Sequence, residues 1–187
     1  MNNLNGLKQE LSIKAKNGAD FIIAASMIWF AISLIWTLSA SSYDKSVLTF
    51  IIGGMMLPLA FGLSKLLKTN WKVPNNPLQP LGLWLNFAQL FYFPFLIFVL
   101  IKQPDYFVMT YAIITGAHFF PYGWYYSEKG YSIFAGIISF GALFFGLFLS
   151  TEKMYLLPLF TAISLAILAI IVLLSYRNKA STAQNNL

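Results

Sequence analysis

The sequence predicts an all-α fold, a polytopic membrane protein with six transmembrane helices in one bundle. Three observations carry that prediction. Of the 187 residues, 58% are hydrophobic, 18% aromatic and only 10% charged, which is more apolar surface than a water-soluble globule buries. The apolar residues fall into long runs separated by short polar connections. The basic residues alternate in number between successive connections: of the 12 lysines and arginines, only Lys45, Lys102 and Lys153 fall on one side. Lysine and arginine collect on the cytoplasmic face of a membrane protein, so both termini are expected there.

Residues 1–20 read as a cytoplasmic N-terminal segment. Leu4, Leu7 and Leu11 recur at helical spacing with lysines on the other faces. That pattern suits a short interfacial helix on an anionic leaflet, and equally a frayed tail. The charged lead, with Lys8, Glu10, Lys14, Lys16 and Asp20, is too long for a cleaved signal peptide, so the first helix is expected to stay in the bundle. Asp20, at its mouth, reads as an acid favoured by the helix dipole.

A spanning helix needs about 20 mainly apolar residues to cross roughly 30 Å of hydrocarbon. Such runs lie at 21–38, 47–67, 81–101, 107–126, 131–150 and 156–175, making 21–175 the transmembrane domain. Trp36, Trp71, Trp84 and Trp124 fall near the proposed ends, as amphipathic rings at headgroup depth do, and Lys65 and Lys68 can snorkel from the second helix. The connection 69–80 contains Pro74, Pro77 and Pro80 and reads as an extended cytoplasmic linker. In the fifth helix Ser132, Ala135, Gly136, Ser139, Ala142 and Gly146 form a small-residue face, and in the sixth Ala162, Ala166 and Ala169 do the same. Such faces pack helices within a bundle or between copies of a chain. Glu128 beside Lys129 reads as a solvated loop pair, and 176–187 as a disordered cytoplasmic tail.

The chemistry concentrates in the third and fourth helices. Tyr111, Thr115, His118, Tyr122 and Tyr125 share one face of the fourth at alternating spacings of four and three. Asn86 and Gln89 lie one turn apart in the third, followed by Tyr92 and Pro94. Carboxamides in hydrocarbon are costly unless paired, so the two groups are expected to meet. Pro94 and Pro121 each free a carbonyl one turn earlier, which suits a hydrated pocket between these helices. The plainer reading is that these side chains hold the bundle together, at about 0.6 kcal/mol per hydrogen bond. As a ligand-binding set they comprise Asn86, Gln89, Tyr111, Thr115, His118, Tyr122 and Tyr125, with His118 able to carry a proton near neutrality.

The segments NFAQLFYFPFL (86–96) and YAIITGAHFFPYGWYY (111–126) resemble those of a bacterial family of small integral membrane proteins of unknown function. The resemblance extends from ELSIKAKNGADF (10–21) to the fifth helix. It implies a multi-pass protein of the bacterial inner membrane and brings no activity, substrate or catalytic residue.

Several activities are disfavoured. No P-loop, dinucleotide fingerprint, HExxH or GxSxG occurs in the chain. With no cysteine and one histidine a typical zinc site is out of reach, and neither a cofactor nor a metal is expected. The net charge of +6 sits at helix ends rather than in an aromatic-interleaved patch, so nucleic acid is not an expected partner, whereas membrane lipid is. Three readings remain: a protein that binds or transports a small molecule, a non-catalytic membrane partner or assembly protein that includes a homo-oligomer, and an intramembrane enzyme using His118. The last is the weakest, because a lone histidine lacks a nucleophile, metal or second carboxylate to work with.

Overall fold

The computed structural model describes residues 4–185. Among them every regular element is helical: α1 (Leu4–Lys14), α2 (Ala19–Ile35), α3 (Ser42–Gly53), α4 (Met56–Leu67), α5 (Gln79–Leu90), α6 (Phe93–Lys102), α7 (Phe107–Tyr125), α8 (Lys129–Phe148) and α9 (Leu156–Asn185). Five stretches are long and apolar enough to cross a membrane: Lys16–Ile35, Ser42–Leu67, Gln79–Lys102, Lys129–Phe148 and Thr151–Gln184.

That is five rather than the six expected from the sequence. The run left out is 107–126, which does form a helix, α7, of 19 residues. The polar face that drew attention to it, with His118, Tyr111, Tyr122 and Tyr125, is what lowers its hydropathy. Two other expected spans are each broken into a pair of helices. The second breaks at Gly54 and Met55, and the third at Phe91 and Tyr92 just before Pro94, whose ring clashes with the preceding turn. Pro121, by contrast, lies inside an unbroken α7.

Helix starts follow local chemistry. Ser41 caps α3, its Oγ accepting from the Asp44 amide at 3.1 Å and donating to Asp44 Oδ2 at 2.6 Å. Glu128 caps α8 by accepting from the Gly130 amide at 3.2 Å. The expected Glu128–Lys129 loop pair is therefore replaced: Glu128 faces Lys179 at 3.9 Å instead.

The centre of the bundle is α2 against α9 and α7 against α8, and the peripheral helices α3 to α6 bury little of their surface. Ile28, Trp29, Ile32, Ile138, Leu165 and Leu168 fill the core between them. Trp36 does not lie at an interface with headgroups. It is buried, and its Nε1 donates to Thr49 Oγ1 at 3.0 Å, tying α2 to α3. The small-residue faces are mostly taken up inside the chain. Ser132 and Ser139 of α8 lie against Gly123 and Gly116 of α7, and Ser26 Oγ of α2 donates to the Ala162 carbonyl of α9 at 2.9 Å. Ala166 of the α9 set is exposed.

Two further expectations change at the end of the bundle that holds both termini. Helix α9 continues to Asn185, past the point where 176–187 reads as disordered from sequence. The 69–78 connection is docked rather than a free linker, with Val73 and Asn76 buried. The Asn70 amide donates to the Lys14 carbonyl at 3.0 Å, and Asn76 Nδ2 donates to the Leu7 carbonyl at 2.9 Å and to Glu10 Oε2 at 2.8 Å. Helix α1 is thereby held against the bundle, with Leu11 and Ser12 buried and Lys8 Nζ 3.5 Å above the Trp124 ring.

Candidate functional site

The docked connection closes over a cavity of about 260 Å³, bounded by the starts of α2, α5 and α8 and the end of α7. Asp20 lines it from the first turn of α2 and is only 1% exposed. Free amides and the positive end of the helix dipole favour a carboxylate at that position. Its Oδ2 accepts from Thr69 Oγ1 at 2.7 Å and from Trp71 Nε1 at 2.6 Å, and the Trp71 ring packs on Phe21 at 4.8 Å. Asp20 is thus the anchor of the covering segment. Its other oxygen, Oδ1, has no hydrogen-bond partner among the described residues. No fully buried side-chain oxygen is left unpaired among them, so Oδ1 keeps a small accessible surface, and Asp20 lines the cavity.

Aromatic rings form the facing wall. Tyr122, Tyr125 and Tyr126 at the end of α7, with Tyr131 at the start of α8, all line the cavity, joined by Phe119. They pack as one cluster: Tyr125 on Tyr126 at 4.8 Å, Tyr126 on Tyr131 at 5.9 Å, Tyr122 on Tyr131 at 5.9 Å. Three of the four hydroxyls are tied to backbone around the rim. Tyr122 donates to the Gly82 carbonyl at 3.2 Å, Tyr125 to the Gln79 carbonyl at 3.4 Å and Tyr131 to the Asn17 carbonyl. A Cβ on Gly82 would lie 2.8 Å from the Tyr125 hydroxyl, so only glycine lets α5 approach this wall. Gly18, at φ 71°, is required twice: the left-handed backbone suits glycine, and a Cβ there would lie 3.1 Å from the Tyr126 ring.

Behind the tyrosines, Lys179 from the α9 extension fixes the α7–α8 turn. Its Nζ donates to the Tyr126 carbonyl at 2.8 Å, the Ser127 carbonyl at 3.2 Å and Asn17 Oδ1 at 3.2 Å. A cation at the carbonyl end of α7 is favoured by that helix's dipole. On the outer side, Glu10 is held below the usual glutamate range by its hydrogen bonds, first from Lys14 and then from Asn76.

The sequence-derived set divides. Asn86, Tyr122 and Tyr125 line the cavity, whereas Gln89, Tyr111, Thr115 and His118 do not. Asn86 Nδ2 donates to the Gly82 carbonyl of its own helix at 3.0 Å, not to α7. His118 is half-buried, edge-on to Tyr122 at 5.2 Å, and makes no hydrogen bond among the described residues. Tyr111 packs on Trp29 at 5.3 Å. The physical reason is that α5 meets α7 through backbone carbonyls at Gln79 and Gly82 rather than through carboxamide side chains. Sequence reasoning missed Asp20, Trp71, Tyr126 and Tyr131. The signal available was the run Asn17, Gly18, Ala19, Asp20, a glycine turn delivering a carboxylate directly into an apolar helix. Chemically, the cavity presents one carboxylate, one lysine at its lip and a largely aromatic surface.

A family model described as a family of unknown function (DUF7010) matches residues 4–175. No curated protein and no solved structure matches the chain.

Proposed function

The chain belongs to this family, whose function is unknown, and from that premise we propose an integral membrane protein that binds a small molecule in the cavity beneath the 69–78 connection. The observation that carries the reading is Asp20, a buried carboxylate that lines the cavity and whose Oδ1 has no hydrogen-bond partner among the described residues. Burying a charge is costly unless something compensates it, so a buried carboxylate that lines a cavity marks a candidate binding site. The site residues of this proposal are Asp20, Trp71, Asn86, Tyr122, Tyr125, Tyr126 and Tyr131.

In this reading α7 is a sixth span. Its length is sufficient at 19 residues, and its polar face is sheltered by α5 and α8. Six spans place both termini on one side, and the lysine and arginine bias makes that side the cytoplasm of a bacterial plasma membrane. The cavity then opens at the cytoplasmic end.

The test uses the absence of cysteine from the chain. Phe119, which lines the cavity, and Thr115, one turn away and off it, are similarly buried, at 7% each. A membrane-impermeant thiol reagent is expected to label Phe119→Cys from the cytoplasmic side and to leave Thr115→Cys unmodified. If neither is labelled in folded protein, the cavity is closed to water and the binding reading fails.

A second reading, a non-catalytic partner protein, is supported by α5, which has no buried residue, and by the exposed rings of Trp84 and Phe91 on the α5–α6 face. The enzyme reading gains no support, because His118 touches only aromatic rings and lies off the cavity.

A further inference from the structure

Resting on the binding reading above, we infer that the occupant of the cavity is an organic ammonium ion, its charged nitrogen against Asp20 Oδ1 and its alkyl groups against the tyrosine wall. The argument begins with charge. Two charged side chains line the cavity, Asp20 and Lys72. Lys72 is exposed, at the lip, and forms no ion pair with Asp20; the ion pairs among the described residues are Lys14 with Glu10 and Lys179 with Glu128. The carboxylate inside therefore lacks a countercharge from the chain.

The walls point the same way. Trp71, Phe21, Phe119 and the tyrosines line the same cavity as Asp20. Aromatic faces carry negative potential and attract cations, most strongly where water is excluded, and cages of such rings recognise alkylated ammonium groups. An anion would meet both the rings and Asp20 unfavourably, and a neutral molecule would gain only a hydrogen bond. Of the four tyrosine hydroxyls in the wall, those of Tyr122, Tyr125 and Tyr131 already donate to backbone carbonyls, which leaves that of Tyr126 to offer a proton to a ligand. A volume of about 260 Å³ limits the occupant to a small ion or to the headgroup of a lipid.

The experiment is calorimetric titration of the full chain in maltoside detergent with choline and with its uncharged isostere, 3,3-dimethylbutan-1-ol. Choline is expected to bind roughly 10-fold or more tightly than the isostere. Asp20→Asn retains an oxygen acceptor for Thr69 and Trp71 and is expected to remove that preference at an unchanged melting temperature, while Lys72→Ala leaves choline affinity equal or higher. Repeating the melt in nanodiscs of phosphatidylcholine and of phosphatidylglycerol separates the sources: stabilisation by the choline lipid alone, with no binding of free choline, assigns the ammonium ion to a headgroup. Equal affinity for choline and isostere would overturn the ammonium assignment and leave the binding reading standing. So would binding of benzoate that is lost in Lys72→Ala. If Phe119→Cys is labelled but neither choline nor the choline lipid has an effect, the ammonium assignment fails alone; if labelling is absent as well, both fail.

Discussion

Asp20 joins two functions in one side chain, because the oxygen that fastens the covering segment and the oxygen left without a partner among the described residues belong to the same cavity-lining carboxylate. Asp20→Ala leaves the Thr69 hydroxyl and the Trp71 indole without an acceptor, and each unmade hydrogen bond costs about 1–3 kcal/mol. Unfolding of the purified protein is expected to show a loss of at least that size for Asp20→Ala and none resolvable for Asp20→Asn, which keeps an oxygen acceptor for both donors. Glu10 gives a pH signature on the outer side of the same segment. Its folded pKa is lowered by the bonds from Lys14 and Asn76. The stability it contributes is therefore present above the unfolded glutamate pKa and lost as pH falls through the lower folded value. Melting curves of wild type and Glu10→Gln are expected to differ at neutral pH and to converge in acid; a constant gap would mean Glu10 acts through packing alone.

At the scale of elements, the α9 extension is held from outside itself. Lys179 reaches Tyr126, Ser127, Asn17 and Glu128, all far away in the chain, so nothing local in 176–185 announces the helix. That is why the tail read as disordered. Replacing Lys179 with methionine removes the charge and every donor, and amide exchange around Thr182 is expected to speed up by at least tenfold while the α2–α9 core remains protected. Unchanged exchange would show that the extension is stable by its own propensity. The apolar runs themselves were legible because hydropathy and length are local properties, and so was the alignment of Tyr122 and Tyr125 on one face of α7. The partner of that face was not. Polar side chains on α5 drew attention from sequence, but helices that approach through Gly82 meet at the backbone, and a carbonyl acceptor has no sequence signature.

For the whole molecule, α2 and α9 form a buried spine and α3 to α6 an exposed apolar flank, with the cavity where the two meet at one end. The proposed topology has Thr151 and Ser181 on opposite sides of the membrane. An impermeant thiol reagent is expected to label Thr151→Cys from the periplasm and Ser181→Cys only after the cytoplasmic face is exposed. Reversed labelling, with Ser181→Cys reached from the periplasm together with Ser42→Cys while Thr151→Cys is protected, would mean that α7 does not cross, leaving five spans. The position of the cavity could not be read in advance, because it is assembled from segments at 11–22, 70–86 and 119–131 that only tertiary packing brings together.

The elbow between α1 and α2 carries a consequence for biosynthesis. Lys16, Asn17 and Gly18 all take left-handed backbone, at φ 48°, 54° and 71°, which for residues with a Cβ costs roughly 1–2 kcal/mol each. What compensates is supplied by the other end of the chain: Asn17 Nδ2 donates to the Val172 carbonyl at 2.9 Å, its backbone oxygen accepts from Tyr131, and its Oδ1 accepts from Lys179. A ribosome makes those partners last. The nascent chain therefore carries an unlatched N-terminus until α9 has emerged, and the elbow that leads into Asp20 gains its last partners only with the final helix.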